Sequence, residues 1–413
     1  MINKKYTLSI IREARIDENR TPLTPNQTQE LIKKFPNLRI LVQTSKKRCF
    51  RDEDYLNAGA EITDDISNAD IIFGVKEVDI STLIENKTYL FFSHTTKVRN
   101  YINRITQDKA IIYKKELLRE VLKKNITLID YENIREVSGK GYRYLGFGRF
   151  AGIVGCYNTL NLYLKLQKEK SLPRAFKINN YEKIKELLGK QNFNKLRILQ
   201  TGRGNVAKGS MEVLKHANIK QVSINDYLNK KYNEAVFCNV STREYVERND
   251  GKDYSVHDFT SNPHEYKSKV KNYLFETDML ITGHYWEPRF PKLFYPNQIN
   301  EFKNLKIIGD VTCDINGAVP TTIRSTTIAK PYYSVDINSM KEIDLGSNGI
   351  AVMAVDNLPS ELPNEASEEF GDSVISDVLP YLINKDDGRI SRATTASLGK
   401  FGPAYSYLED FIK

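Results

Sequence analysis

Residues 196–217 read LRILQTGRGNVAKGSMEVLKHA. A short apolar run leads into Gly202-x-Gly204-x-x-Ala207, and a helical pattern follows. Strand, glycine turn and helix in this order form a dinucleotide-binding fingerprint. Gly202 permits the tight turn. Gly204 leaves the backbone bare where a pyrophosphate approaches, and Ala207 lets the helix close on the strand. The helix start offers free N–H groups and a partial positive charge to phosphates. Arg203, Asn205 and Val206 fill the variable positions and are counted with the loop. The next run, KQVSIND, is expected to be a strand ending at Asp226, roughly 20 residues on, where an acid takes the ribose hydroxyls. That favours NAD. Arg203 could instead meet a 2′-phosphate, which keeps NADP open.

The same alternation extends outward in both directions. Before the loop, YTLSII, RILVQ, DIIFGV, YLFFS, AIIYK and ITLIDY read as strands, with PNQTQELIKKF and VRNYINRITQD (98–108) as helical stretches between them. Pro25 suits the first turn of a helix, with Thr24 as its cap. After the loop, DMLIT, LKIIGDV and GIAVMAV are near-continuously apolar, as strands buried on both faces are. The stretch from about Phe147 to Lys168 reads as a long helix joining the two series, and GKGYRYLGFGRFAG as its entry. Residues 249–267 read as an insertion or long loop. From Glu361 onward the chain reads as helical and returns to the first unit. The expected fold is α/β: two Rossmann-like, doubly wound parallel-sheet domains with a cleft between them. The first comprises 1–145 plus 360–413 and carries the substrate; the second, 146–359, carries the coenzyme.

Composition narrows the function. The 413 residues are 40% hydrophobic, 10% aromatic and 27% charged, enough apolar content for packed cores. The net charge of +9 suits an anionic partner, but the basic residues are scattered among acids, which argues against nucleic acid. Four cysteines without a CxxC pair argue against a zinc knuckle and suit a reducing compartment. No stretch reads as a signal peptide or membrane span. A cytoplasmic protein acting on small molecules is expected, with no membrane or metal partner; monomer and homo-oligomer both stay open.

Lys76 and His94 each follow an apolar strand, at the edge where open parallel sheets bind ligands. Two such groups can act as an acid–base pair, each cation easing deprotonation of the other. Glu77 beside Lys76 could tune it the opposite way. Arg20, in ENRTPLTP, could hold a substrate carboxylate bidentately. Asp310 and Asp314 follow another buried strand, and Asn357 in AVDNLPSELP is expected to project from a strand-to-helix turn. HExxH, GxSxG and GxxxxGK[ST] patterns are absent.

The segments REARIDENRTPLTP, FFSHTTK, LIDYE, GFGRFAGIVG, TGRGNVAKG, YWEPRFPKLF, GDVTCDINGAV and AVDNLPSELPNEASEEFG span almost the whole chain. In this order they resemble the alanine dehydrogenase superfamily. Within it they are most similar to the lysine-forming saccharopine dehydrogenases, including the lysine–ketoglutarate reductase half of aminoadipate semialdehyde synthases. The resemblance implies NAD(P)-linked interconversion of saccharopine with lysine and 2-oxoglutarate. It further implies that Lys76 and His94 are the acid–base pair. Glu77 and Glu132 tune that pair, Arg20 and Arg143 contact substrate carboxylates, and Asp314 and Asn357 lie near the nicotinamide. The glycine loop is closer to the animal and plant reductases than to the fungal GxxGRCG type. Another amino-acid or opine dehydrogenase, and a nucleotide-sensing regulator on the same fold, are the alternatives.

Overall fold

The structure is a computed structural model that describes residues 6–98, 108–136, 141–169 and 171–413. The stretch expected to be helical at 98–108 lies almost wholly outside these residues. The chain divides into two compact units, one ending at Gly146 and resumed over Pro363–Lys413, the other Phe147–Leu362.

Among the described residues the first unit has a sheet of eight strands. From one edge they run Lys400–Phe401, Thr394–Ser397, Thr127–Asp130, Thr88–Phe91, Ile71–Phe73, Tyr6–Ile10, Leu38–Val42 and Glu61–Ile62. Six are mutually parallel; the two from the C-terminal stretch add antiparallel to Thr127–Asp130 and to each other. Ile71–Phe73 is buried on both faces, which is why it reads as an unbroken apolar run. Helix Pro25–Lys34 starts as expected, with Thr24 accepting from the Gln27 N–H and Gln27 returning a bond to the Thr24 N–H. Two expectations fail here. Residues 110–114 are not a strand but part of helix Lys109–Lys123, which Asp108 caps through the Ala110 N–H at 2.9 Å. Ile111, Leu117, Leu118 and Val121 bury one helical stripe, so the local apolar run was half of a longer period. The C-terminal stretch is also not wholly helical, since it supplies the two edge strands.

The second unit has its own eight-stranded sheet: Glu342–Ile343, Tyr332–Val335, Ile350–Met353, Ile307–Asp310, Met279–Thr282, Arg197–Thr201, Val236–Val240 and Lys220–Gln221. Pairing is parallel from Ile350–Met353 onward and antiparallel at the Tyr332–Val335 edge. Helix Gly148–Leu166 is buried almost all round. It crosses helix Asn205–His216 at a glycine pair. A Cβ on Gly152 would stand 1.9 Å from the Val206 carbonyl oxygen, and one on Gly209 would stand 2.0 Å from that of Arg149. Strands Val236–Val240 and Tyr332–Val335 were not anticipated from sequence. The insertion 249–267 is closed at its base by an antiparallel ribbon, Val246–Arg248 with Tyr266–Ser268.

Candidate active site and coenzyme loop

In the first unit Lys76, Glu77, His94 and Glu132 follow the carboxyl ends of parallel strands. Ile71–Phe73 ends at Gly74, and the chain there is held by Glu13. Its two oxygens accept from the Val75 and Lys76 N–H groups at 2.7 and 2.9 Å. A Cβ at Gly74 would press on the Ile11 side chain at 2.9 Å and approach the Glu13 carboxyl at 3.5 Å. Burial, then the charge of Glu18, push the Glu13 carboxyl up to about 8, against the two N–H bonds and Arg20. A carboxyl with a raised folded pKa binds more protons folded than unfolded. Its contribution is therefore full below the unfolded value and is lost as pH rises toward 8. We expect stability to urea to fall from about pH 5 to about pH 8, and this slope to flatten in Glu13→Gln; an unaltered slope would contradict the assignment.

His94 lies just beyond strand Thr88–Phe91 with φ 51°. That left-handed backbone costs a non-glycine residue about 1–3 kcal/mol and is typical of functional positions. Its Nδ1 is 2.5 Å from Glu77 Oε1, both side chains being about a third exposed. Burial works to raise the Glu77 carboxyl, but the His94 bond and charge, with Lys76, hold it at about 2. The contact engages Nδ1 and leaves Nε2 as the ring nitrogen turned away from Glu77.

Glu132, at the end of Thr127–Asp130, receives Lys97 Nζ at 2.8 Å and Arg143 Nη2 at 3.3 Å on one oxygen. Its other oxygen is buried with no hydrogen-bond partner among the described residues. Burial opposes ionisation, yet Lys97, Arg143 and His94 hold this carboxyl at about 2 as well. Asp130 is fully buried, accepting from the Ser93 hydroxyl and the Glu132 N–H; burial and Glu132 push it up. Lys114 faces Glu77, Glu132, Asp108 and Lys97, and burial lowers it. Glu13, Glu18, Lys97, Asp130 and Lys114 were missed from sequence. Lys97 lies three residues after His94 and Glu18 two before Arg20, so proximity to a suspected residue was the available signal for those two.

Arg20 is brought into this region, but not as a free fork. Its Nε and Nη2 clasp Glu18 at 2.7 and 2.5 Å, and both side chains are essentially inaccessible. The bidentate grip expected for a substrate carboxylate is already taken by Glu18. Arg143, a third exposed and held by Glu132 on one side, is the more available cation.

In the second unit the glycine loop has the expected form. Gly202 lies at φ 101°, where a Cβ would collide with the Gly283 carbonyl, and Gly204 has nothing within 4 Å of that position. Arg203, Gly204 and Asn205 are exposed, Val206 is half-buried, and Ala207 is buried beneath the helix start. The residues present fit a dinucleotide pyrophosphate. His284 abuts this loop with Nδ1 2.7 Å from the Thr201 hydroxyl oxygen, and burial lowers it to about 4, so it is neutral.

Asp226 is not where the sequence placed it. Only Lys220–Gln221 forms a strand; Ser223 then caps helix Ile224–Asn229, and Asp226 pairs with Lys230 at 3.0 Å. Carbonyls of this helix accept from Arg197, the residue that begins the glycine-loop strand. Asp226 therefore belongs to the opposite end of the sheet from the loop. The pattern Ser223-x-x-Asp226 is itself a helix-start signal and could have revealed this. Asp314 is exposed beyond strand Ile307–Asp310, as expected of a strand-edge residue. Asp310 is buried and accepts from the hydroxyls of Thr282, Thr312 and Thr322, bracing that turn. Asn357 is 1% exposed and does not project. Among the described residues no group of three or more His, Cys, Asp or Glu could hold a metal ion, and no helix is long and apolar enough to cross a membrane.

One α/β unit with a glycine loop and another with a carboxylate–histidine pair make a dehydrogenase-like set of parts, and sequence comparison gives the chain a family. Residues 9–153 match the alanine dehydrogenase/PNT N-terminal domain and residues 217–397 the alanine dehydrogenase/PNT C-terminal domain; the chain belongs to that family. It is 29% identical to the alpha-aminoadipic semialdehyde synthase of Arabidopsis thaliana, over 95% of this chain and 40% of the relative. It is also 29% identical to the mitochondrial enzyme of that name from Bos taurus, over 95% and 46%. The chain thus spans less than half the length of these two relatives. The saccharopine dehydrogenase (NAD(+), L-lysine-forming) of Neurospora crassa is 26% identical over 90% of this chain and 88% of its own. A solved L-alanine dehydrogenase shares the fold, with TM-score 0.61 and 16% identity over 98% of this chain and 99% of that one.

Proposed function

We propose that this chain is a nicotinamide-dependent dehydrogenase interconverting saccharopine with L-lysine and 2-oxoglutarate. The Glu77–His94 pair at 2.5 Å, next in sequence to Lys76, carries the reading. The names of the relatives supply the substrate. Bound at Gly202–Ala207, NAD or NADP supplies the hydride acceptor.

The residues then divide the proton work. Lys76 takes the proton of the secondary amine as the C–H bond beside that nitrogen gives up hydride, which leaves a C=N bond. Glu77 fixes the His94 ring so that Nε2 draws a proton from the water adding to that carbon. As the water adds, the nitrogen takes back the proton held on Lys76; as the C–N bond breaks, His94 gives its proton to the nitrogen and Lys76 takes the carbinol O–H proton, releasing lysine and the oxo acid. Arg143 faces one substrate carboxylate. Arg20, buried against Glu18, braces that carboxylate. Asp314 is assigned to the nicotinamide side.

Incubation with 2-oxoglutarate, reduced coenzyme and a panel of amines tests the reading. Coenzyme oxidation should depend on lysine. Oxidation with ammonia and pyruvate but not lysine would favour an alanine dehydrogenase-like enzyme. Coenzyme binding with no amine-dependent oxidation would favour a nucleotide sensor.

A further inference from the structure

We propose that Lys114 takes the carboxylate at the far end of the amine substrate, the α-carboxylate of lysine, and that the cavity beside it holds that amine's aliphatic chain. This rests on the saccharopine reading above and adds the residue that chooses among amines.

A cavity of about 1060 Å³ opens beside the Glu77–His94 pair, wholly within the first unit. One wall follows strand Ile71–Phe73, starting at Glu77 itself and continuing through Val78 and Ile80. The other is helix Lys109–Lys123, which supplies Tyr113 and Lys114. The Tyr113 hydroxyl donates to the Val78 carbonyl at 2.5 Å and ties the two walls together. Val78, Ile80 and the Tyr113 ring give methylene groups an apolar surface to cover. Lysine carries four methylenes between its reacting nitrogen and its α-carbon. With that nitrogen at His94, the chain runs along this surface and ends in a carboxylate.

The cations of the cavity single out Lys114. Four line it, Arg15, Lys114, Arg119 and Lys124, and three are committed. Arg15 pairs with Asp17 at 2.5 Å, Arg119 Nε donates to the Ile412 carbonyl at 2.9 Å, and Lys124 Nζ donates to the Leu83 carbonyl at 2.6 Å. The Lys114 ammonium has no hydrogen bond or ion pair among the described residues. Glu77 and Glu132 act on it only at longer range, and each has a closer partner, His94 for one and Lys97 with Arg143 for the other. Lys114 is half-buried, and burial disfavours its charge. An arriving carboxylate gives that charge a partner and a charge-assisted hydrogen bond. Arg143, on the Glu132 side, is left to the oxo-acid end, so the two ends of the substrate meet different cations.

Removing the carboxylate from the substrate and the ammonium from the protein, separately and together, decides the matter. 1,5-Diaminopentane is lysine without its carboxylate, and Lys114→Met keeps the methylene packing without the charge. With 2-oxoglutarate and reduced coenzyme, the parent should favour L-lysine over 1,5-diaminopentane by at least about tenfold in kcat/KM, the worth of one charge-assisted contact. Lys114→Met should move that ratio about tenfold toward one, through the KM for lysine, and Lys114→Arg should restore most of it. A ratio unmoved by Lys114→Met overturns the proposal. So does an equal loss for both amines, which would mark damage to the Glu77–His94 pair, or a loss confined to the KM for 2-oxoglutarate. Oxidation that depends on a different amino acid removes the saccharopine reading; this assignment then stands only if Lys114→Met erases the preference for that amino acid over its decarboxylated form. Absence of any amine-dependent oxidation overturns both.

Discussion

Lys76→Met should lower kcat by about 10²–10⁴-fold in the lysine-dependent reaction, the range for loss of a positioned base. The Lys76 backbone is fixed by Glu13 through its N–H and needs no side chain for that bond, so the variant should fold. Methionine keeps the bulk and removes the basic nitrogen. His94→Gln should cost a similar factor, because Gln cannot carry a proton between water and the amine. The double variant should lose less than the product of the two factors, as groups acting in one proton sequence do. Steady-state kinetics alongside coenzyme titration measure this. Turnover within threefold of the parent enzyme in either single variant would remove that residue from the chemistry.

Gly152→Val should destabilise the second unit by more than about 4 kcal/mol, the range reserved for severe steric faults. The added Cβ would face the Val206 carbonyl oxygen at 1.9 Å and the Ser210 nitrogen at 2.9 Å. Both are backbone atoms of helix Asn205–His216, so no side-chain rotation relieves the clash. The two helices must part, which also lifts the start of the helix that faces the pyrophosphate. Gly204→Ala is the contrasting case. Its position is open and its φ of −77° suits alanine, so stability should change by less than about 1 kcal/mol. Coenzyme affinity should nevertheless fall at least tenfold, because the methyl occupies the approach of the phosphates. Urea unfolding monitored for both variants checks the pair. A Gly152→Val protein within about 1 kcal/mol of the parent would show that the helices are not held this close.

What could be read from sequence was local. The turn Gly202–Ala207 lies within six residues, and each part announces itself by spacing. Lys76 and His94 could be picked out because each follows an apolar strand within three residues. Glu13 could not, because the N–H groups it holds lie 62 and 63 residues further along the chain. Asp226 failed for a related reason. Distance in sequence from the glycine loop does not say which strand is its neighbour. The strand Val236–Val240 comes later in the chain yet pairs first, leaving Lys220–Gln221 at the edge. Residues 110–114 failed because a run of three apolar residues has no period of its own until the helix around it is counted.

The first unit is interrupted, and the interruption orders its assembly. Leu408 and Phe411 are fully buried in the same core as Leu117, Leu118 and Val121, and Arg119 donates to the Ile412 carbonyl. Strand Thr394–Ser397 covers what would otherwise be an open edge at Thr127–Asp130. During synthesis the whole of Phe147–Leu362 leaves the ribosome before any of these closing pieces exist. The unit made first is therefore completed last. Until residues near 411 emerge it presents an uncapped strand and a bare helix face, both of the kind that invite wrong partners.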